Sequence, residues 1–300
     1  YLQNDSSSLC NFIDSLARKS KYLVKGERFC VDSLVAERIR ITNRLRNRGY
    51  YYFRPDYIEF LADSTITPKK IALKLTLADN MPREATLQYR VGNVYTVVER
   101  QSNRKPGIPD TLQTERGQLV IMRPARLRAG LVPSCITFRK GRLFSVRNMD
   151  RTQTRLSRLG IFSSIQVQPV PADTSLTDPK LDVYITCKFD RPLEASIEVN
   201  AASKSNSYLG PGLILGLTNY NIFGGAEKLS VQFNANYEWQ TGGERSSVFN
   251  SYEFGLTGSL AFPRLLAPRF IPQSHRELNW TNISLNASIL NRPHYFKIAQ

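Results

Sequence analysis

Residues 228–239 read Lys-Leu-Ser-Val-Gln-Phe-Asn-Ala-Asn-Tyr-Glu-Trp, and this two-residue period constrains the chain more than any other feature. Leu229, Val231, Phe233, Ala235, Tyr237 and Trp239 fall on one side of an extended strand, and Ser230, Gln232, Asn234, Asn236 and Glu238 on the other. Successive side chains of a strand point to opposite faces, so the segment has one apolar face and one rich in amides. Such a strand suits hydrocarbon outside and a wet lumen inside, with Tyr237 and Trp239 at a membrane interface. A half-buried strand of a soluble sandwich carries the same alternation, so one segment does not decide between them.

Four more segments repeat the pattern. Ala195, Ile197, Val199 and Ala201 alternate with Ser196, Glu198 and Asn200; Tyr252, Phe254, Leu256, Leu260 and Phe262 alternate with polar partners. Thr281, Ile283, Leu285, Ala287 and Ile289 do the same, and Leu213, Leu215 and Leu217 predict a shorter strand after Gly210-Pro211-Gly212. Roughly five strands in succession favour an up-and-down membrane barrel, which needs about eight to close. The expectation is that this chain is part of a longer protein, with Leu229, Val231, Phe233, Tyr237 and Trp239 facing lipid.

Charge divides the chain in two. Residues 1–192 hold 33 Lys and Arg against 18 Asp and Glu, whereas residues 193–300 hold 8 against 7, so nearly all of the +16 net charge is in front. A basic surface attracts phosphates of nucleic acid or of anionic lipid headgroups. There is no run of 18 apolar residues, so no helical span is expected. Tyr1 opens no charged-then-apolar leader, so any signal peptide is expected to lie upstream, and the missing leader says nothing about compartment. Cys10, Cys30, Cys135 and Cys187 form no Cys-x-x-Cys and lie far from His275 and His294, so no metal is expected. They read as small buried hydrophobes, or as Cys10–Cys30 and Cys135–Cys187 pairs in an oxidising compartment. The two histidines have no nucleophile or carboxylate partner, and the Gly-rich stretches precede strands, so neither an enzyme nor a cofactor is expected.

The front contains a repeat. Val31, Leu34, Val35, Ile41 and Leu45 predict a helix over 31–48, capped by Asp32 and stopped at Gly49, followed by the aromatic strand-prone stretch 50–60 broken at Pro55. Ile71, Leu73, Leu75 and Leu77 then alternate. About 110 residues on, Ser145 caps a helix bearing Val146, Met149, Leu156 and Leu159 that stops at Gly160. A strand through 161–168 is interrupted at Pro169, and Leu181, Val183, Ile185, Cys187 and Phe189 alternate. Gly26-Glu27-Arg28-Phe29 and Gly141-Arg142-Leu143-Phe144 precede the two helices. An internal repeat of helix, glycine stop and hairpin gives the boundaries 1–89, 90–192 and 193–300. Residues 91–100 supply the second module's first strand; the first module's counterpart is expected before Tyr1, and 101–118 reads as an inserted loop. Proline marks both second strands as edges. Exposed edges bind extended chains by strand addition, so the candidate contacts are Tyr51, Phe53, Ile58 and Phe60, and Ile161, Ile165, Gln166 and Val167.

This order resembles the BamA/TamA-type outer-membrane assembly factors of the surface-antigen barrel family, whose POTRA repeats run strand–helix–helix–strand–strand. Arg155-Leu156-Ser157-Arg158-Leu159-Gly160-Ile161-Phe162 and Arg44–Phe53 are similar to the family's helix-to-strand junction, and Asn219–Glu227 to its turn between the second and third barrel strands. The lipoprotein-type TamA relatives of Bacteroidetes-like bacteria are the members it most resembles. The resemblance implies α+β POTRA modules followed by the first strands of an antiparallel transmembrane β-barrel, with the modules in the periplasm of a bacterium and the barrel in its outer membrane. It implies unfolded outer-membrane proteins as substrates, a periplasm-spanning partner protein, and a lateral seam bordered by Ala195, Ile197, Val199 and Ala201. Anionic lipids are the expected partners of the basic helices. A basic nucleic-acid-binding module and a passive pore are the rival readings; the membrane-type tail counts against the first, so no nucleic acid is expected, and the front modules count against the second.

Overall fold

Two amphipathic helices open the structure, a computed structural model that describes residues 6–67, 70–100, 110–114, 117–121, 127–172, 178–203, 208–240, 251–264, 266, 280–292 and 296–300. The first, α1 (Ser6–Ala17), was not anticipated, although Leu9, Ile13 and Leu16 stand at helical spacing. It packs on α2 (Val31–Arg46), and Leu9 and Ile13 join Ile41, Leu45, Tyr50, Phe53 and Ile58 in a buried cluster. Val31 and Val35, expected on the apolar face of α2, are exposed: at this end the helix has run past its partner. Its N-cap is Cys30 rather than Asp32, which lies in the first turn and complements the helix dipole. Gly49 ends the helix turn at φ +100, and a Cβ there would sit 3.0 Å from the Tyr89 carbonyl, so only glycine fits.

The strand expected from residue 50 starts later. Tyr50–Arg54 form a turn, Pro55–Tyr57 a 3₁₀ turn, and β1 runs Ile58–Thr67. Tyr51 and Phe53 are therefore not edge-strand residues. Proline pre-sets the φ of a turn and so starts one here rather than marking a strand edge. β1 pairs antiparallel with β2 (Lys70–Leu77) from Ile58↔Leu77 to Thr67↔Lys70, and a short α3 (Arg83–Thr86) follows. Only the inner half of this ribbon reaches the core: Leu75 and Leu77 pack there, while Leu61, Ile71 and Leu73 are exposed.

The second sheet has the order β4-β5-β3-β7-β6. Its strands are β3 (Arg90–Arg100), β4 (Asp110–Thr114), β5 (Gly117–Ile121), β6 (Phe162–Pro171) and β7 (Lys180–Phe189). Between β5 and β6 come α4 (Leu131–Cys135) and α5 (Val146–Arg158). The stretch read as an inserted loop thus contributes a hairpin, β4–β5, whose second strand lies parallel to β3. β3 also pairs parallel with β7, and β7 antiparallel with β6. Leu181, Val183, Ile185 and Cys187 are fully buried beside Val91, Val94 and Val98 of β3, in one cluster with Phe144 and Leu156. All four cysteines are free thiols: Cys135 and Cys187 buried, Cys10 half-buried, Cys30 exposed.

The third sheet is an antiparallel meander, in spatial order β13-β12-β11-β10-β9-β8, open at β8 and β13 among the described residues. Its strands are β8 (Leu193–Ser203), β9 (Tyr208–Asn219), β10 (Lys228–Gln240), β11 (Ser251–Phe262), β12 (Thr281–Arg292) and β13 (Phe296–Ala299). β9 runs through Gly210-Pro211-Gly212 instead of starting after it. Pro211 stays in register with Ala201, while pairing to β10 lapses at 210–211 and resumes at Leu209↔Trp239. A missing N–H near a strand end costs one rung, not the strand. Most of the expected loops over 204–211, 240–247 and 263–277 lies outside the described residues.

Candidate functional site

Register turns the alternation of single strands into a surface. One cross-strand row is Val199, Leu213, Ala235, Phe254 and Ile289; the next is Ile197, Leu215, Phe233, Leu256 and Ala287. A third is Ala195, Leu217, Val231, Gly258 and Leu285, and Leu229, Leu260 and Ile283 continue the face toward the modules. No charged residue interrupts these rows, yet they are open to solvent: Ile197 is 75% exposed and Leu285 77%. Val231, Phe233, Tyr237 and Trp239 are exposed on the same face, and Leu229 is half-buried. Ten intervals from Leu229 to Trp239 span ~34 Å of strand, and a tilt of about 40° reduces that to about 26 Å, the height of a barrel's apolar band.

The opposite face is polar and closely set. Ser196, Gly216, Gln232, Thr257 and Asn286 form one row, and Thr257 Oγ1 donates to Asn286 Oδ1 at 2.9 Å. A Cβ at Gly212 would fall 2.1 Å from Asn200 Oδ1, one at Gly216 2.4 Å from Ser196 Oγ, and one at Gly255 2.2 Å from Asn234 Oδ1. The glycines leave room for amides and hydroxyls to lie over the backbone, packing this face with polar groups.

Among the described residues each sheet has open edges, and those at β8 and β6 hold most of the candidate residues. β8, with Ala195, Ile197, Val199 and Ala201, is exposed along its described length and pairs only with β9. β6 pairs only with β7; Ile165 and Val167 are half-buried against the core, Gln166 is exposed, and Ile161 is buried just before the strand. Pro169 and Pro171 lie two residues apart, so their ring nitrogens share one side of β6. That side faces away from β7, because a ladder partner would be left unpaired otherwise. By the same alternation the N–H groups of Ile165 and Val167 point outward. In the first module, Ile58 is buried and Phe60 packs on the core, both on β1.

The turn 219–227 joins the meander to the second module, a connection absent from the sequence reading. The Arg128 N–H donates to the Gly224 carbonyl at 2.7 Å, and the Arg128 Nη1 meets Glu227 Oε1 at 2.9 Å. Glu227 Oε2 accepts the Gly225 N–H at 2.8 Å, Asn221 Oδ1 accepts the Ala226 N–H at 2.9 Å, and the Tyr220 N–H donates to the Pro192 carbonyl at 2.8 Å. Ala226 holds φ +60, costly for a residue with a Cβ, and its methyl is fully buried in the second module's core. A buried carboxylate, Glu227, thus holds a strained turn against that module.

Among the described residues no group of His, Cys, Asp and Glu is arranged to hold a metal, and no helix is long and apolar enough to cross a membrane. No protein-family model and no curated protein matches the sequence. Among solved structures, the chain is similar to BamA from Haemophilus ducreyi lacking POTRA domains 1–3, with TM-score 0.43 and 13% identity over 97% of this chain and 50% of that one. It is similar to CdiB from Acinetobacter baumannii, with TM-score 0.38 and 12% identity over 99% and 53%. POTRA3–5 of Haemophilus influenzae BamA is a third, with TM-score 0.36 and 14% identity over 61% and 56%. The chain spans about half the length of each of these structures.

Proposed function

We propose that this chain crosses a bacterial outer membrane through the six-stranded sheet, holds two α/β modules (1–89 and 90–192) in the periplasm, and assembles or translocates β-barrel or surface proteins. The exposed apolar face of the sheet carries the reading. A face of this size, rimmed by Tyr237 and Trp239 and backed by a polar face, is not left bare in water; hydrocarbon is the surrounding that suits it. The front modules favour an assembly role over a passive pore, as does the resemblance of their repeat to that of the assembly factors.

In this reading β8 borders the seam. Ala195 and Ala201 bury little area, so the edge is held weakly at about 25 cal/mol per Å² and opens to template an incoming strand through backbone hydrogen bonds. Open β6 and β1 edges bind unfolded substrate or a periplasm-spanning partner by strand addition. Anionic headgroups meet the C-terminal end of α5, where Arg158 lies exposed three residues before Ile161, whose carbonyl accepts the Asp190 N–H just ahead of β8.

The test uses tryptophan fluorescence in vesicles. With Trp239 and Trp280 replaced by Phe, Phe233→Trp should be quenched strongly by lipids brominated on their chains, and Gln232→Trp much less. Equal quenching at both positions sinks the membrane orientation. A photo-crosslinker at Ile197 should then trap nascent outer-membrane proteins; capture only at Val231, away from the edge, counts against the seam.

A further inference from the structure

Between the two modules lies a cleft of about 1220 Å³ whose lining is cationic. Eight arginines and two lysines are among its twenty lining residues, and none of the twenty is acidic. Arg44 comes from α2 and Arg48 from the turn that follows it, Arg90 from β3, Arg142 from the loop before α5, and Arg147 and Arg151 from α5. Among the described residues, Arg40 is the one member of the ten in an ion pair, with Glu37 at 2.6 Å.

The walls are fixed to each other. Asn47 Oδ1 at the end of α2 accepts the Ser145 hydroxyl at 3.0 Å and the Arg147 N–H at 2.8 Å. The Tyr89 N–H donates to the Gly49 carbonyl at 2.9 Å, and the Val91 and Gly141 N–H groups donate to the carbonyls of Arg142 and Val91 at 2.8 Å each. Like charges repel, so a fold that holds this many of them in a rigid trough keeps a site prepared for an anion.

We propose that the cleft binds an acidic segment of a partner polypeptide. Three observations favour a peptide over a lipid headgroup. β3 and β7 run in parallel from Arg90↔Lys180 to Arg100↔Phe189, and the chain enters β8 four residues beyond Phe189. Arg90 therefore lies at the far end of the sheet, about 33 Å along the strand from that entry. Arginine outnumbers lysine four to one, which suits planar, two-point recognition of carboxylates. Phe12, Leu16, Tyr22 and Leu143 lie among the cations, and they offer contact to the carbon of a side chain. The first of these observations rests on the proposed membrane position of the meander; the other two do not.

The experiment is a fluorescence-anisotropy titration of the purified full chain with a labelled deca-glutamate peptide. Arg44→Glu with Arg142→Glu should weaken binding at least tenfold. Lys74→Glu with Lys188→Glu, the same change in net charge outside the cleft, should leave it within twofold. Arg44→Gln with Arg142→Gln, which inserts no new charge, should fall between, and thermal melts of all variants should agree. Equal loss in both charge-reversed pairs overturns the site, because net charge would then explain binding. Tighter, Arg44-dependent binding of tripolyphosphate, phosphatidylglycerol vesicles or duplex DNA than of the peptide overturns the choice of partner.

Discussion

Glu37 is a fully buried acid, and its carboxylate lies 2.7 Å from Arg40 Nε and 2.6 Å from Nη2, which also donates to the Leu16 carbonyl at 2.6 Å. The pair links α2 to the last turn of α1. Arg40→Ala leaves that charge buried and unpaired, and should cost about 3 kcal/mol in chemical denaturation. Replacing both residues together, Glu37→Leu with Arg40→Met, should recover most of it; a double variant as unstable as the single one would assign the loss to packing. Cys187 offers a second residue-level reading. Burial pushes its thiol up to about 12, from an ordinary value of 9.0, with Cys135 close by. The folded state keeps the proton that the unfolded chain releases near pH 9, so this contribution to stability is complete below pH 9 and is lost between 9 and 12. In Cys187→Val the decline of stability between pH 9.5 and 11 should be shallower by about 1.4 kcal/mol per pH unit. Iodoacetamide at neutral pH should modify Cys30 and spare Cys135 and Cys187 until the protein unfolds.

At the scale of elements, β6 gives the sharpest contrast. Val167→Pro removes an outward N–H and no ladder bond, so it should keep the fold and weaken crosslinking to substrate. Gln166→Pro removes a bond to β7 and should lower the melting temperature by several degrees. Normal crosslinking by a folded Val167→Pro variant places substrate docking elsewhere. The same strands mark what was legible in sequence. Alternation located β7 and the meander because each strand has one face that differs chemically from the other, and Gly49 and Gly160 marked the helix stops through their positive φ. Three of the differences have a plain physical cause. Aromatics at 50–53 suggested a strand, but the tertiary core took Tyr50 and Phe53 into a turn. Helix α1 was missed because its polar Ser-rich start hides three spaced apolar residues. The β4–β5 hairpin was missed because Pro106 and Pro109 precede it and read as a loop.

For the molecule as a whole, the 219–227 turn decides which parts move together. Glu227 holds that turn through Arg128 and the Gly225 N–H, so Glu227→Ala should free it, and limited trypsin digestion should cut at Lys228 faster than in the parent chain. Unchanged cleavage would mean that Ala226 and its buried methyl suffice. The contacts that make the cationic cleft and the Glu227 joint had no signature along the chain: their members come from residues 12–151 and from 128, 192 and 219–227, brought together only by folding. The basic excess was visible from composition; its division between the cleft and the outer end of α5 was not.

The contact between Asn47 and the start of α5 has a consequence for biogenesis. Helix α5 begins at an N-cap, Ser145, whose own hydroxyl makes no capping bond, and the acceptor that serves the Arg147 N–H is borrowed from one hundred residues upstream. A nascent chain emerging N-terminus first therefore delivers the acceptor before the helix that needs it, so the first module acts as a template on which the second is completed. Asn47→Ala should cost about 1 kcal/mol, lost from the second module's cooperative unfolding although the substitution lies in the first.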